Sequence, residues 1–167
     1  DHLVHYNNIF ENLLDSFVMF SENVPFYGYL LINGDDKNIK KISKKISRTQ
    51  ITFGMSKNVN YQINNIKPNN GKQNFEIYDK KNNKNHKFKL NLPGIHNVFN
   101  AAASIGVALE EGIPIGAIKK GISEFSGVGR RYEKHNLEIN SKEVILIDDY
   151  GHHPLEIESN INAYKEE

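Results

Sequence analysis

Val144-Ile145-Leu146-Ile147-Asp148-Asp149-Tyr150-Gly151-His152-His153-Pro154 is the stretch on which the reading of the chain turns. Four consecutive apolar residues without polar alternation read as a strand covered on both faces, as in the interior of a parallel sheet. Pro154 suits the first turn of a helix, where its missing N–H costs nothing. Strand, polar loop and helix together make an α/β unit. Ligands of open α/β sheets collect at the carboxyl ends of the strands, and a helix N-terminus favours phosphate. The loop here holds Asp148, Asp149, His152 and His153, the densest group of titratable side chains in the chain. The plainer alternative is a polar turn with a capping Asp.

Upstream, Ser126-Gly127-Val128-Gly129 reads as a flexible joint and a domain boundary. It runs into Arg130-Arg131-Tyr132. Paired arginines after such a joint can clamp phosphate oxygens with the guanidinium fork; a solvated basic turn is the plainer reading. A helix is expected over 96–111, ending at Gly112, with a small-residue face of Ala101, Ala102, Ala103, Ser104 and Gly106 for close packing. A second runs from Pro114 to about Phe125. The first opens with His96, Asn97 and Asn100. Asn can pair with an adenine edge through its donor and acceptor together, although helix capping is the usual use of Asn there.

Before that helix, residues 59–66, 73–79 and 86–92 read as an antiparallel meander with one solvated face, broken by Pro68-Asn69-Asn70-Gly71 and by 79–85. Tyr29 to Ile32 and Gln50 to Phe53 read as short strands. Residues 7–20 carry Phe10, Leu13, Leu14, Phe17 and Val18 at helical spacing, with Asn7 or Asn8 as cap. Residues 37–46 form a second helix, capped from Asn33-Gly34-Asp35-Asp36. Asp1-His2 alone is weak evidence for a metal site.

Composition narrows the class. The 167 residues are 38% hydrophobic and 25% charged, with a net charge of +1, which suits a folded protein and gives no electrostatic pull toward nucleic acid or a membrane surface. No apolar run approaches the roughly 18 to 20 residues of a transmembrane helix. The absence of cysteine excludes disulfides, thiolate metal sites and cysteine nucleophiles, and fits the cytoplasm. The chain starts at Asp1 and stops inside a helical pattern, so a segment of a longer protein is expected. It contains no GxxxxGK[ST] phosphate loop.

Asp1-His2, Leu92-Pro93-Gly94-Ile95-His96-Asn97-Val98-Phe99-Asn100-Ala101, Gly127-Val128-Gly129-Arg130-Arg131-Tyr132-Glu133 and Asp148-Asp149-Tyr150-Gly151-His152-His153-Pro154 together resemble the Mur ligases. These are ATP-dependent amide-forming enzymes of peptidoglycan precursor synthesis. The motifs stand in the family's order and at its spacing. The resemblance implies an α/β fold in two pieces. Residues 1–128 would be the second half of the central ATP-binding domain, a parallel sheet with helices plus a small antiparallel sheet. Residues 129–167 would be the start of a Rossmann-like C-terminal domain.

By the same resemblance, His2 ligates magnesium, and His96, Asn97 and Asn100 meet the adenine of ATP. Arg131 reaches the phosphates, and Asp149 holds the ribose. His152 and His153 lie near the transferred phosphoryl group and the incoming amino acid. Where relatives carry a carboxylate near the Asp-His motif, this chain has Val4. Within the family, Asp148 to Pro154 and Pro25-Phe26-Tyr27-Gly28 look most like the branch that joins L-alanine to UDP-N-acetylmuramate through an acyl phosphate. Two alternatives stand beside it. One is the branch that reattaches recycled tripeptide to UDP-N-acetylmuramate, against which Tyr150-Gly151 argues. The other is a non-catalytic nucleotide-binding α/β module. The expected partners are small molecules, ATP, L-alanine and UDP-N-acetylmuramate, together with the rest of the same polypeptide. A chain without a phosphate loop cannot cradle a γ-phosphate. The 167-residue chain by itself is therefore expected to show no ATP-dependent alanine ligation; measurable product from the purified chain contradicts the expectation.

Overall fold

A computed structural model describes residues 2–165, the side chain of His2 excepted. The expectation for Asp1 and the His2 imidazole therefore lies outside the described residues. A 3-10 turn, His2–Tyr6, leads into α1 (Phe10–Glu22). Then come β1 (Tyr29–Asn33), α2 (Lys37–Ser43), β2 (Thr49–Gly54), β3 (Tyr61–Pro68), β4 (Gln73–Asp79), β5 (Lys84–Leu90), α3 (Ile95–Glu110) and α4 (Ile115–Glu124). The chain continues through β6 (Glu133–Ile139), β7 (Lys142–Asp148) and α5 (Pro154–Lys165).

The first five strands form one sheet in chain order. β1 and β2 are parallel, β2 and β3 are joined in parallel by Phe53↔Tyr61 and Gly54↔Gln62, and β3-β4-β5 is the expected antiparallel meander. The meander is thus continuous with the parallel strands. Asn60 makes the join: its side-chain oxygen accepts from the Thr52 N–H at 2.9 Å and the Thr52 hydroxyl at 2.8 Å. The loop at Asn70-Gly71 has φ of 47° and 71°, the mirror-image turn that matches strand twist. β4 alternates strictly, burying Gln73, Phe75, Ile77 and Asp79. The other face is wetter, as expected for a sheet covered on one side.

Helix α3 covers the buried face. Val98, Ala102 and Ile105 have no measurable exposure and pack with Ile63, Phe75, Ile77, Phe88 and Leu90. Gly106 lets it approach closely: a Cβ there would stand 3.0 Å from Leu31 and 3.2 Å from Tyr61. The helix stops as the sequence implies. Gly112 takes φ 70°, its N–H donates to Leu109 O, and the Ile113 N–H donates to Ala108 O, a Schellman close. A smaller cluster, Leu14, Ile42 and Ile46, sits between α1 and α2.

One expectation is corrected. Neither Asn7 nor Asn8 caps α1; Ile9 holds the cap position with no side-chain bond, and both asparagines turn the chain at φ 56° and 58°. Among the described residues Val144 to Ile147 has no parallel neighbour: β7 pairs with β6, antiparallel, across the two-residue turn Asn140-Ser141 with φ of 53° and 60°. An apolar run signals burial, not strand direction, and the positive-φ pair at the turn fixes a hairpin. Among the described residues nothing covers this strand, and Ile145 stays 54% exposed.

Helix α5 meets the rest of the chain through Ala163, 1% exposed. Its neighbour is Gly94, at φ 84° just before α3. A Cβ on Gly94 would lie 2.7 Å from the His96 ring and 3.2 Å from the Ala163 Cβ. Gly94→Ala in the full-length protein is accordingly expected to lower stability by about 1–3 kcal/mol. Thermal unfolding measures it, and an unchanged midpoint contradicts the close approach.

Candidate functional site

Between α3, α4, α5 and the joint lies a cleft of about 850 Å3, within the size range of small-molecule sites. Its apolar walls are Leu90, Leu92, Ile122, Phe125, Val128 and Leu155. His96, Asn97 and Asn100 line it from the first turns of α3, because the opposite face of that helix is held against the sheet. Arg131 and Asp149 line it from beyond the joint. Five of the residues singled out in the sequence therefore meet in one cavity, although up to 53 positions separate them.

Their states differ. The Asn97 amide donates to the Pro93 carbonyl at 2.7 Å, which ties it to the turn before α3; it does not cap the helix, since Gly94 holds the cap position with no side-chain bond. Among the described residues nothing pairs with the Asn100 amide. Of the two arginines, Arg130 is committed locally. Its N–H donates to Glu133 at 2.8 Å, its Nε lies 3.7 Å from Asp148, and its guanidinium sits 5.3 Å from the Tyr150 ring centre. Arg131 is the one that reaches the cleft.

Asp149 ties the far side together. One oxygen accepts from the Tyr132 N–H at 2.8 Å, the other from the Gly151 N–H at 2.6 Å. Burial pushes its carboxyl up, but these two N–H groups, the Asn160 side chain and the Arg131 charge outweigh it and hold it below the usual carboxylate range. Asp149 is thus an anion at neutral pH.

His152 and His153 do not line the cleft. They stand on the loop at the start of α5, and His153 is the helix cap. The Leu155 N–H donates to His153 Nδ1 at 3.3 Å. In return Glu156 accepts the N–H groups of His152 at 3.0 Å and of His153 at 3.1 Å, a capping box with His in the usual Ser or Thr place. Those two N–H groups hold the Glu156 carboxyl below its usual range. Glu156, Ser159 and Asn160 all line the cleft, and the sequence reading missed them. A signal for Glu156 existed: Glu at the third position of a helix that opens with Pro154. Asn160 had none, because its role depends on how α5 turns toward Asp149.

One more group could ligate a cation. Glu133, His135 and Asp148 share a face of the β6-β7 hairpin, with ligand atoms within 4.8 Å of one another. Arg130 already engages both carboxylates there, Glu133 through its backbone N–H and Asp148 through its guanidinium. The cleft itself offers flat apolar walls, an Asn edge, one cation and one anion. That donor set fits a ligand that is part aromatic, part hydroxylated and part anionic, as a purine nucleotide is.

Residues 1–108 match the family described as the Mur ligase middle domain. A curated relative from Vesicomyosocius okutanii subsp. Calyptogena okutanii (strain HA), UDP-N-acetylmuramate–L-alanine ligase, is 41% identical over 167 residues, covering 99% of this chain and 36% of its own length. The crystal structure of UDP-N-acetylmuramate–alanine ligase from Thermotoga maritima superposes with a TM-score of 0.79 at 26% identity, covering 99% of this chain and 36% of that one. The MurF ligase from Thermotoga maritima in complex with ADP shares the fold, at a TM-score of 0.73 and 16% identity over 93% of this chain and 35% of that one. The chain spans about a third of the length of the curated relatives it matches. No described helix is long and apolar enough to cross a membrane. The match over most of the chain, on a fold that carries its motifs into one cleft, places this protein in the Mur ligase family.

Proposed function

We propose that this chain is part of a cytoplasmic, ATP-dependent ligase that joins L-alanine to UDP-N-acetylmuramate, and that the cleft is its nucleotide site. The observation that carries the reading is the convergence of the α3 residues His96, Asn97 and Asn100 with Arg131 and Asp149. The relatives' printed activity supports the substrates. In this reading residues 1–128 are the second half of the central domain and 129–167 the start of the C-terminal one, joined at Gly127–Gly129.

Each residue then has a task its geometry supports. Leu92, Phe125 and Leu155 sandwich the base, and Asn100, whose amide is uncommitted, pairs with its edge. Asn97 holds the turn at Pro93 that starts α3. Asp149 meets the ribose. Arg131 faces the phosphates, where its charge becomes more valuable as the γ-phosphoryl group passes to the substrate carboxylate and the acyl phosphate forms. Magnesium, held in part by His2, would supply further charge neutralisation on the phosphoryl oxygens. His152 and His153, on the rim rather than in the cleft, face the phosphoryl group and the incoming amine once the last domain closes and excludes water.

The test is steady-state kinetics of the full-length enzyme with ATP, L-alanine and UDP-N-acetylmuramate. Charge-assisted contacts are worth roughly 1.5–3 kcal/mol each, about tenfold to a hundredfold. Asp149→Ala should raise KM for ATP by about that factor. Arg131→Ala should mainly lower kcat, because its contact strengthens on the way to the transition state. Val4→Ala, at a site 70% exposed, should do little. If Asp149→Ala and Arg131→Ala both stay within about twofold of wild type, roughly 0.4 kcal/mol, the nucleotide assignment fails.

A further inference from the structure

Arg130 and Arg131 are neighbours in sequence, yet different chemistry holds them. The Arg130 Nε lies 3.7 Å from Asp148, so part of its donor edge is already engaged. Among the described residues no hydrogen bond or ion pair takes up the Arg131 guanidinium. Asp149 and Glu156 attract it from beyond ion-pair distance. Attraction of that kind favours a neighbourhood and not a direction. The group that does lie against it is the Tyr150 ring, whose centre is 5.9 Å from the Arg131 guanidinium carbon.

A ring differs from a carboxylate in what it leaves over. A guanidinium has five N–H donors and no acceptor. An ion pair consumes some of those donors. An aromatic ring attracts the cation through its quadrupole, within about 6 Å of the centroid, and needs no hydrogen bond to do so. The donor fork of Arg131 therefore stays available for phosphate oxygens, which it fits bidentately. Tyr150 is itself fixed on both sides. Its N–H donates to the Arg130 carbonyl at 2.9 Å, and its own carbonyl lies 3.2 Å from His152 Nδ1. The Asp149 carboxylate before it accepts the Gly151 N–H after it. The ring also meets the Arg130 guanidinium at 5.3 Å and the His152 ring edge-on at 5.8 Å. Tyr150 does not line the cleft, whereas Arg131 does. Its effect on a nucleotide there passes through the arginine.

We infer that Tyr150 is a positioning residue for the ligase reaction: its ring aims the Arg131 guanidinium at the phosphates while leaving that group's donors free. The inference rests on the reading of the cleft as an ATP site. It assigns the task to the ring and not to the hydroxyl.

The experiment is steady-state kinetics of the full-length enzyme with ATP, L-alanine and UDP-N-acetylmuramate, for Tyr150→Phe and Tyr150→Leu, each alone and together with Arg131→Ala. Phe keeps the ring; Leu keeps an apolar side chain without one. Tyr150→Phe should stay within about twofold of wild type. Tyr150→Leu should lower kcat by about five- to thirtyfold, the span of a cation–π contact from exposed to desolvated, and leave KM for ATP within about twofold. Once Arg131 is Ala, Tyr150→Leu should cost nothing further, because the group it positions is gone. Poor folding would instead lower kcat in both backgrounds. If Tyr150→Leu keeps wild-type kcat, if it costs as much in the Arg131→Ala background, or if Tyr150→Phe is as slow as Tyr150→Leu, the inference is overturned. In each of these cases a loss on Arg131→Ala alone leaves the ATP reading standing. If Arg131→Ala and Asp149→Ala both keep wild-type kinetics, the ATP reading falls and the inference with it.

Discussion

The close seat of helix α3 on the sheet is the constraint from which the rest follows. Its buried face is built of Val98, Ala102, Ile105 and Gly106, small or branched residues that let the helix axis come near Leu31 and Tyr61. Burying Val98 and Ile105 contributes roughly 1.5–3 kcal/mol apiece. Seating that face fixes the rotation of the helix, and the rotation decides where His96, Asn97 and Asn100 point. A bulkier residue at 102 or 106 would lift the helix and carry the cleft wall with it. Core packing and site geometry are therefore a single requirement on this segment.

The opposite wall depends on Asp149. Two residues just past the joint, Arg130 and Tyr132, hold φ of 57° and 53°, a conformation that ordinarily costs a non-glycine residue about 1–3 kcal/mol. Neighbouring groups hold them there. The Tyr132 N–H is bonded to Asp149, the Arg130 N–H to Glu133, and the Arg130 carbonyl accepts the Tyr150 N–H at 2.9 Å. The same carboxylate reaches the loop through the Gly151 N–H, and Asn160 of α5 stands close by on the other side of Gly151. One anion thus links the joint, the end of β7 and the loop that leads into the last helix, and this link sets Arg131 against the cleft. An arginine one position earlier, with near-identical local sequence, is instead absorbed by Asp148, Glu133 and Tyr150.

Much of this was legible from residues alone because the signals were local. Alternation marked β4, Gly112 marked the end of α3, Asp36 marked the start of α2 by accepting the N–H groups of Asn38 and Ile39, and Asn70-Gly71 marked a hairpin. Three of the four motifs supply residues of the cleft, and five of their side chains converge there. What was not legible was non-local. The apolar run at 144–147 did not announce the antiparallel partner β6, which the turn at Asn140-Ser141 sets. The joining of meander and parallel strands through Asn60 could not be read from either strand. His152 and His153 stand on the rim of the cleft, where the capping exchange with Glu156 holds them, a placement that no local pattern marked. Asn160 carried no pattern, since its place in the cleft depends on how α5 packs, with Ala163 beside Gly94.

The most direct measurement is a crystal structure of the full-length protein with a non-hydrolysable ATP analogue. The account predicts the base between Leu92, Phe125 and Leu155 with its edge on Asn100, the ribose at Asp149, and the phosphates toward Arg131. A nucleotide bound elsewhere, with this cleft filled by other polypeptide or by solvent, would contradict it.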